Sequence, residues 1–307
     1  MNHRFLEIAR ALVRAAPLVL HDDRFALKGG TAINFFIRDL PRLSVDLDLV
    51  LADGRLGRDD ALAAIGDGLA IARSKLETDG FDVRSKKGAA GPITTIFARE
   101  GNADIKIEVN HVMRGTLHPV RRASLVPRAQ EILRADITLP LMAAEEVYGG
   151  KLVAALDRQH PRDLFDVMQL FDHGGITSGM RRCFVIYLAC HNRPIHEVLY
   201  APEKNIDDEY REQLVGMMSD DVDLDELVAA RVRLLRELPA SLDDAERGFL
   251  RSLARAEPDY ALLDVPHVAE LPALQWKVEN LRKLASNNPT KLRAQADALD
   301  ERLGTLA

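Results

Sequence analysis

The pattern of apolar and polar positions divides the 307-residue chain into two halves. Before residue 139, segments with a period of two alternate with segments whose period is close to 3.6, which predicts strands interleaved with helices. The segments are helix 1–14, strand 25–28, helix 31–37, strand 44–51, helix 58–79 and strands 81–86, 93–99 and 103–110. This order predicts an α+β fold in which helices cover a mixed sheet.

Beyond Leu139 and Pro140, strand signals almost vanish. The remaining apolar stripes are helical, and they lie at 143–157, 162–172, 180–189, 206–218, 225–235, 242–255 and 272–284. The polar tail, 291–303, is either a final helix or a frayed end. We therefore predict two domains: a mixed-sheet core over 1–138 and a mostly α-helical lobe over 139–307.

A glycine pair follows the first short strand. The strand at 25–28 leads into Gly29, Gly30 and Thr31, and an apolar run typical of a helix comes next. Glycine allows the backbone to approach a phosphate closely, and a helix N-terminus offers free N–H groups and positive potential. These three residues are therefore predicted to bind the phosphates of a nucleotide.

Two carboxylates share one face of the next strand. With a period of two, Ser44, Asp46 and Asp48 lie on the face opposite Val45, Leu47 and Leu49. Two aspartates so close together repel each other, and a bound cation removes that cost. Mg²⁺ prefers hard oxygen ligands and usually takes one or two carboxylates together with substrate phosphates. We expect Asp46 and Asp48 to bind metal, with Ser44 beside the nucleotide.

A third carboxylate is expected from the strand at 103–110. Asp104, Lys106, Glu108 and Asn110 lie on its polar face. We choose Glu108 as the third metal ligand because it lies well inside the strand, whereas Asp104 is nearer the turn before it.

The helical half begins with a second charged cluster. Lys151 lies in mid-helix among small and apolar neighbours, which favours a phosphate contact over a solvated lysine. Pro161 suits the first turn of the next helix, where its missing N–H costs nothing. Arg162, Asp163 and Asp166 then crowd that turn, and simple helix capping remains an alternative for Asp163.

Charge is distributed unevenly along the chain. The net charge of −6 argues against nonspecific nucleic-acid binding by the whole surface. Residues 109–135 nevertheless carry five arginines and one glutamate, a local balance of 5 − 1 = +4. The arginines are Arg114, Arg121, Arg122, Arg128 and Arg134. A polyanion could dock there, although no aromatic residues interleave to stack bases, and an ordinary solvated face is the alternative.

The cysteines and the hydropathy indicate the compartment. Cys183 and Cys190 lie two turns apart in an apolar stretch and are expected to be reduced, buried thiols, which points to the cytoplasm. The hydrophobic fraction of 47% predicts a globular protein, and no segment is long enough to predict a membrane span. The histidines lack the spacing of a zinc site.

Taken together and in order, these motifs resemble the AbiEii/AbiGii-type (MenT-like) nucleotidyltransferase toxins of bacterial toxin–antitoxin and abortive-infection systems. The resemblance is strong from about residue 25 to residue 171 and only loose beyond. It rests on four blocks: Gly29-Gly30-Thr31-Ala32, Ser44-x-Asp46-x-Asp48, Lys151-Leu152-x-Ala154-x-Leu156 and Arg162-Asp163-Leu164-Phe165-Asp166.

The resemblance implies a DNA polymerase β-like nucleotidyltransferase core and a helical lobe, with an NTP bound in the cleft between them. It implies that Asp46 and Asp48 bind metal, that Gly29, Gly30 and Thr31 form the phosphate turn, and that the lobe contributes Lys151 and Asp163. Arg162 would join Lys151 in neutralising the leaving group. Two Mg²⁺ ions are expected, and Mn²⁺ could replace them. The implied acceptor is tRNA, at its 3′ end.

Several alternatives stay open. Members of the family vary at the third strand carboxylate, so either Glu108 or Asp163 completes the metal site. The acceptor could be a protein or a small molecule, as in antibiotic nucleotidyltransferases, and a non-catalytic binding module is the reading outside the enzyme class. The family's usual partner is an antitoxin encoded nearby, or a kinase, for which Thr31 or Ser44 is the expected acceptor.

Overall fold

A computed structural model describes residues 1–87 and 93–304 of the chain. It divides into two compact units. The first contains Met1–Val147 together with Gln213–Asp221, and the second contains Tyr148–Glu212 and the chain from Val222 onwards. The turn predicted at residues 88–92 lies outside the described residues.

The first unit contains a seven-stranded mixed sheet. Its strands are β1 Phe25–Lys28, β2 Asp46–Leu51, β3 Asp82–Lys87, β4 Ile93–Glu100, β5 Ala103–Asn110, β6 Arg121–Ser124 and β7 Thr138–Leu141. Its helices are α1 His3–Val19, α2 Gly29–Ala32, α3 Arg58–Thr78 and α4 Pro127–Leu133, and a π-helical segment, Ile33–Ile37, continues α2. The strand order across the sheet is β3-β4-β5-β2-β1-β7-β6.

The centre of the sheet brings three predicted segments side by side. Strand β2 pairs antiparallel with β1 on one side and parallel with β5 on the other. Asp48 is therefore opposite Lys28, the last residue before the glycine pair. In the other direction, Asp46 is opposite Lys106 and Asp48 is opposite Glu108.

The core of this unit follows the predicted periodicity. Leu47 and Leu49 of β2 are fully buried, whereas the aspartates between them are half-buried. Helix α3 buries Ile65 and Leu69, as its stripe predicts, and contacts β4. The α+β class predicted from the sequence is confirmed by this sheet and by the helices that follow it.

The second unit is helical. Its helices are α5 Ala144–Asp157, whose first turn belongs to the first unit, α6 Pro161–Asp172, α7 Ser178–Ala189, α8 Ile195–Leu199, α9 Asp207–Gln213, α10 Leu224–Ala240, α11 Asp244–Ala254, α12 Pro272–Asn287 and α13 Pro289–Gly304. Pro161 is the first residue of α6, as predicted. Cys183 and Cys190 are buried and form no disulfide, and burial raises the pKa of Cys190 to about 12.

One predicted helix, 206–218, is wrong over its second half. Helix α9 ends at Gln213, and the chain then returns to the first unit, where it meets the segment before β2. The backbone N–H of Leu43 donates to the carbonyl of Met217, and Ser219 N–H donates to Pro41 O. Within this returning segment, Gly216 adopts a positive φ of 85°, which favours glycine. These long-range backbone bonds outweigh the local helical pattern.

The sequence also gave no clear signal for β6, β7, α4 and α8, each of at most seven residues. Short elements of this kind have too few periods to predict. Among the described residues, no helix is long and apolar enough to cross a membrane.

Candidate active site

The predicted phosphate turn is closely packed at both of its glycines. Gly29 has a φ of +72°, and a Cβ atom there would lie 2.5 Å from the Oδ2 of Asp48. A Cβ at Gly30 would lie 2.8 Å from the Nη2 of Arg42. The turn therefore passes directly against an aspartate and a buried arginine, in a conformation that L side chains rarely adopt.

Two buried hydroxyls tie the turn to β2. The Oγ1 of Thr31 lies 2.8 Å from Ser44 Oγ and 2.6 Å from the backbone oxygen of Asp46. Asn34 donates from Nδ2 to the carbonyl of Gly30 over 2.9 Å. Because Thr31 and Ser44 are only 1% and 4% exposed, their hydroxyls support the turn from beneath.

Asp46 and Asp48 are half-buried on the same face of β2, as predicted. On the neighbouring strand, the Nζ of Lys106 lies 2.7 Å from the Oε2 of Glu108. This bond raises the pKa of the Lys106 amine, and the charges of Asp46 and Asp48 add to the effect. The result is a cluster of three carboxylates and one ammonium on two adjacent strands.

The cluster fits a metal ion only in part. Within residues 1–87 and 93–304, no group of three or more His, Cys, Asp or Glu side chains is arranged to hold a metal. The predicted set of Asp46, Asp48 and Glu108 is therefore not assembled in this structure, and Glu108 pairs with Lys106. Asp46 and Asp48 alone still offer the hard oxygen donors that Mg²⁺ accepts alongside phosphates.

The second predicted cluster is buried in the second unit. Lys151 is 6% exposed, and its Nζ lies 2.7 Å from Asp163 Oδ1 and 2.8 Å from Asp166 Oδ2. Asp163 also accepts from Arg158. Burial by itself raises the pKa of Asp163, but the two cations outweigh it and hold that pKa well below its usual range. Lys151 is thus not a solvated lysine.

The alternative role for Asp163, capping of α6, is filled by another residue. His160 is the N-cap residue, and its Nδ1 accepts from the backbone N–H of Arg162 over 3.1 Å. Asp163 is in the first turn, where an acid is favoured, but its carboxylate faces Lys151 and Arg158. Simple capping therefore does not describe the role of Asp163. The Arg162 side chain is half-buried.

Four residues beside these clusters were not selected from the sequence. Arg42 is buried next to Gly30, Lys106 bonds Glu108, Arg158 bonds Asp163, and Gln159 is fully buried next to Arg158. Only Lys106 had a usable signal, its place on the polar face of β5. The others are near their partners because of the tertiary fold.

The predicted arginine-rich surface is not uniform. Arg121, Arg122 and Arg134 are exposed, and Arg128 is partly so. Arg114 is 8% exposed and donates from Nη1 to the carbonyl of Arg58. Burial lowers the pKa of Arg114. A docking surface built from this run would therefore use the later arginines.

Comparisons with known proteins show the family of the chain. The family model described as nucleotidyl transferase AbiEii toxin, type IV toxin–antitoxin system, matches residues 10–280. No curated protein sequence matches the chain.

Two solved structures match the chain, and the first of them shares its fold. MenT4, a nucleotidyltransferase toxin from Mycobacterium tuberculosis H37Rv, has 18% identity and a TM-score of 0.57, and the match covers 90% of this chain and 94% of that chain. JHP933 from Helicobacter pylori has 19% identity and a TM-score of 0.42, with 78% and 93% covered. The family match spans most of the chain, so this protein belongs to the AbiEii family of nucleotidyltransferase toxins of type IV toxin–antitoxin systems.

Proposed function

We propose that this nucleotidyltransferase uses Mg²⁺ to transfer a nucleoside monophosphate from an NTP to the 3′-hydroxyl of tRNA. The observation that supports this best is the contact between the phosphate turn and the acidic strand. Gly29 lies directly against Asp48, and Thr31 lies within hydrogen-bond distance of the Asp46 backbone. Groups that can bind phosphate and groups that can bind a cation are thereby adjacent.

Each part of this site has a role in the reaction. The backbone of Gly29, Gly30 and Thr31 would orient the triphosphate, and Ser44 would support the turn through Thr31. Asp46 and Asp48 would hold Mg²⁺, for which Mn²⁺ could substitute. A bound divalent ion would stabilise negative charge on the phosphates and favour ionisation of the attacking hydroxyl.

The proposed reaction exchanges one phosphorus–oxygen bond for another. The acceptor oxygen forms a bond to the α-phosphorus while the bond from that phosphorus to the β-phosphate bridging oxygen breaks. The hydroxyl proton passes to solvent, and pyrophosphate leaves. Glu108 would join a second metal site through its Oε1, because its Oε2 accepts from the Lys106 ammonium.

The buried cluster of the second unit would act indirectly. The Lys151 ammonium already contacts Asp163 and Asp166, so we assign Lys151 and Asp163 to positioning and not to direct contact with the reacting atoms. Arg162 remains the proposed nucleotide contact of the α6 first turn.

The choice of tRNA rests on two supports. The first is the family resemblance, and the second is the set of exposed arginines at 121, 122 and 134, which suits a polyanion. A protein or small-molecule acceptor is the alternative, and an enclosed acidic pocket would favour a cationic small molecule.

A type IV toxin implies an NTP substrate and a cognate antitoxin. We further propose that control can act on the phosphate turn. Phosphorylation of Thr31 or Ser44 would place negative charge beneath the triphosphate. Both hydroxyls are buried, so a kinase would have to act on an opened turn.

The test is a labelling experiment with the wild type and an Asp46→Ala, Asp48→Ala variant. Each is incubated with Mg²⁺, one labelled NTP at a time, and total tRNA, and the products are resolved on a denaturing gel. Label in RNA with the wild type alone supports the proposal and identifies the nucleotide. Label in protein overturns the tRNA assignment, and label in neither, with small acceptors also negative, overturns catalysis of this reaction.

A further inference from the structure

The sheet face that carries Asp46 and Asp48 continues past the acidic cluster to one edge of the sheet. Strands β5, β4 and β3 follow β2 in that direction, and β3 is the last strand. Residues that are directly opposite each other on neighbouring strands lie on the same face. The register of these strands therefore defines two rows of side chains that begin at the two aspartates.

Both rows cross the four strands β2, β5, β4 and β3. The first row consists of Asp46, Lys106, Phe97 and Arg84, and the second consists of Asp48, Glu108, Thr95 and Lys86. Neighbouring strands are about 4.8 Å apart, so the backbone at Phe97 lies two strands, or about 10 Å, from the backbone at Asp46. An aromatic ring and two cations thus belong to the same surface as the predicted metal ligands.

The two faces of β3 and β4 differ in burial. Val83 and Ala98 are buried on the face opposite the aspartates, and helix α3 contacts both strands. On the aspartate face, Arg84 and Lys86 are exposed and Phe97 is 41% exposed. These three side chains are therefore accessible to a ligand that lies across β3 and β4.

Arg84 and Lys86 supply the positive charge of this surface. In the part of the chain that the structure describes, their side chains form no ion pair and no side-chain hydrogen bond. Asp104, which shares the face, accepts instead from Nε and Nη2 of Arg99 over 2.8 and 3.2 Å. The other acid of these strands, Asp82, is opposite Arg99 in the register. The two cations of the rows can therefore pair with an anionic ligand.

The chemistry of this surface favours a single-stranded nucleic acid. One exposed aromatic side chain needs no explanation by itself. Phe97, however, is directly opposite Arg84, in the row that leads to Asp46. Aromatic rings that stack on bases, next to cations that bind phosphates, are typical of proteins that bind single strands. A lysine on an edge strand also disfavours the pairing of another protein strand there.

We propose that this surface, formed by Phe97, Arg84 and Lys86, binds a single-stranded segment of the acceptor RNA. A base stacks on Phe97, and Arg84 and Lys86 bind the adjacent phosphates. The strand then runs along the sheet face toward Asp46 and Asp48. The identification of this strand as the acceptor rests on the proposed function, whereas its binding can be measured without any reaction.

The probe is a fluorescein-labelled single-stranded oligocytidylate RNA, and fluorescence anisotropy measures its affinity in the absence of NTP. The variants are Phe97→Ala, Phe97→Trp, Arg84→Met and Lys86→Met. Ile71→Ala and Lys75→Met are the matched controls, because both residues are exposed on α3 of the same unit, Ile71 to 42%. Thermal melts confirm that each variant is folded.

We expect Phe97→Ala to weaken binding of the oligonucleotide by about five- to a hundredfold, the effect of one lost stacking contact. Phe97→Trp keeps a ring for stacking and should bind at least as tightly as the wild type. Ile71→Ala should match the wild type. Wild-type affinity in folded Phe97→Ala, an equal loss in Ile71→Ala, or no binding by the wild type overturns the proposal.

The dependence of affinity on salt tests the phosphate contacts. Arg84→Met and Lys86→Met should each reduce the slope of log affinity against log salt by about 0.7, the value for one phosphate of a single strand. Phe97→Ala and Lys75→Met should leave that slope unchanged. A wild-type slope in both Arg84→Met and Lys86→Met overturns the assignment of the cations.

Steady-state kinetics separate the acceptor from the NTP, whose base has the same chemistry. If Phe97 stacks on the acceptor, Phe97→Ala raises the KM for tRNA and leaves the KM for NTP near wild type. A rise in the KM for NTP alone overturns the acceptor assignment. Transfer to tRNA by a wild type whose Phe97→Ala variant binds the oligonucleotide normally refutes this inference alone; Phe97-dependent binding without any transfer refutes the proposed function alone.

Discussion

The molecule contains two charged clusters that differ in exposure. On β5 of the first unit, Lys106 and Glu108 form a pair in which both side chains are more than 40% exposed. In the second unit, Lys151 pairs with Asp163 and Asp166, and none of the three side chains is more than 6% exposed. Similar residue types therefore occupy very different environments.

This difference in exposure indicates different roles for the two clusters. An exposed ion pair contributes little to stability and exchanges partners easily, which suits a site that must accept substrate and a cation. A buried pair is held in one geometry, and breaking it leaves an uncompensated charge. The first cluster therefore suits the proposed reaction, whereas the ion pairs of the second cluster join α5 to α6.

The largest effect is expected from the acidic strand. Asp46→Ala and Asp48→Ala should each reduce nucleotidyl transfer at least about a thousandfold, because each removes a ligand for the cation that stabilises phosphate charge. The free energy of unfolding should remain near that of the wild type. The measurement is transfer of label to tRNA, together with urea unfolding.

Asp104→Ala is the matched control for those variants, because Asp104 lies on the polar face of β5 but pairs with Arg99. It should retain wild-type activity. Full activity in Asp46→Ala or Asp48→Ala would contradict the assignment of the site. The exposed cluster of the first unit would then have no role in the reaction.

The next largest effect concerns stability. Asp166→Ala should lower the free energy of unfolding by about 3 kcal/mol, because the buried Lys151 side chain then loses one of its two carboxylate partners. Glu108→Ala, which breaks the exposed pair, should change it by less than about 1 kcal/mol. Chemical denaturation measures both, and equal losses would show that burial does not distinguish the clusters.

A smaller effect is expected at the phosphate turn. Gly29→Ala combines a positive φ with a Cβ that would meet Asp48, so we expect a loss of about 1–2 kcal/mol in stability and reduced transfer. Gly80→Ala is the control, because Gly80 has a φ of +93° and nothing within 4 Å of the added Cβ. If the two variants lose activity equally, strain and not contact with Asp48 is responsible.

The smallest expected effect is a change of stability with pH. It concerns the buried Lys277, whose partners differ from those of Lys151. Lys277 is buried like Lys151, but its Nζ donates to the carbonyls of His191 and Arg193, and burial lowers its pKa to about 8. Between pH 8 and pH 10.5, Lys277 of the unfolded chain keeps a proton that Lys277 of the folded chain has lost. Stability due to Lys277 therefore rises with pH, by about 1 kcal/mol from pH 8 to pH 9.

The measurement is urea unfolding of the wild type and Lys277→Met at both pH values. The difference between the two proteins should grow by that amount as the pH rises. A constant difference would mean that Lys277 stays charged, as a lysine with carboxylate partners does.

The sequence by itself determined the features that depend on neighbours along the chain. The alternation around Asp46 and Asp48 predicted a strand with both carboxylates on one face, and β2 has that arrangement. The stripe of α3 and the proline at the start of α6 were predicted for the same reason. Local periodicity needs no knowledge of distant partners.

The tertiary structure alone decided which charges meet. Nothing near Glu108 in the sequence states that its carboxylate pairs with Lys106, or that Lys151 is buried between two aspartates. The return of residues 213–221 to the first unit and the left-handed turn at Gln159 likewise depend on partners far along the chain. Long-range packing sets burial and pairing. These two properties decide whether a charged side chain is accessible to a ligand or is enclosed in the core.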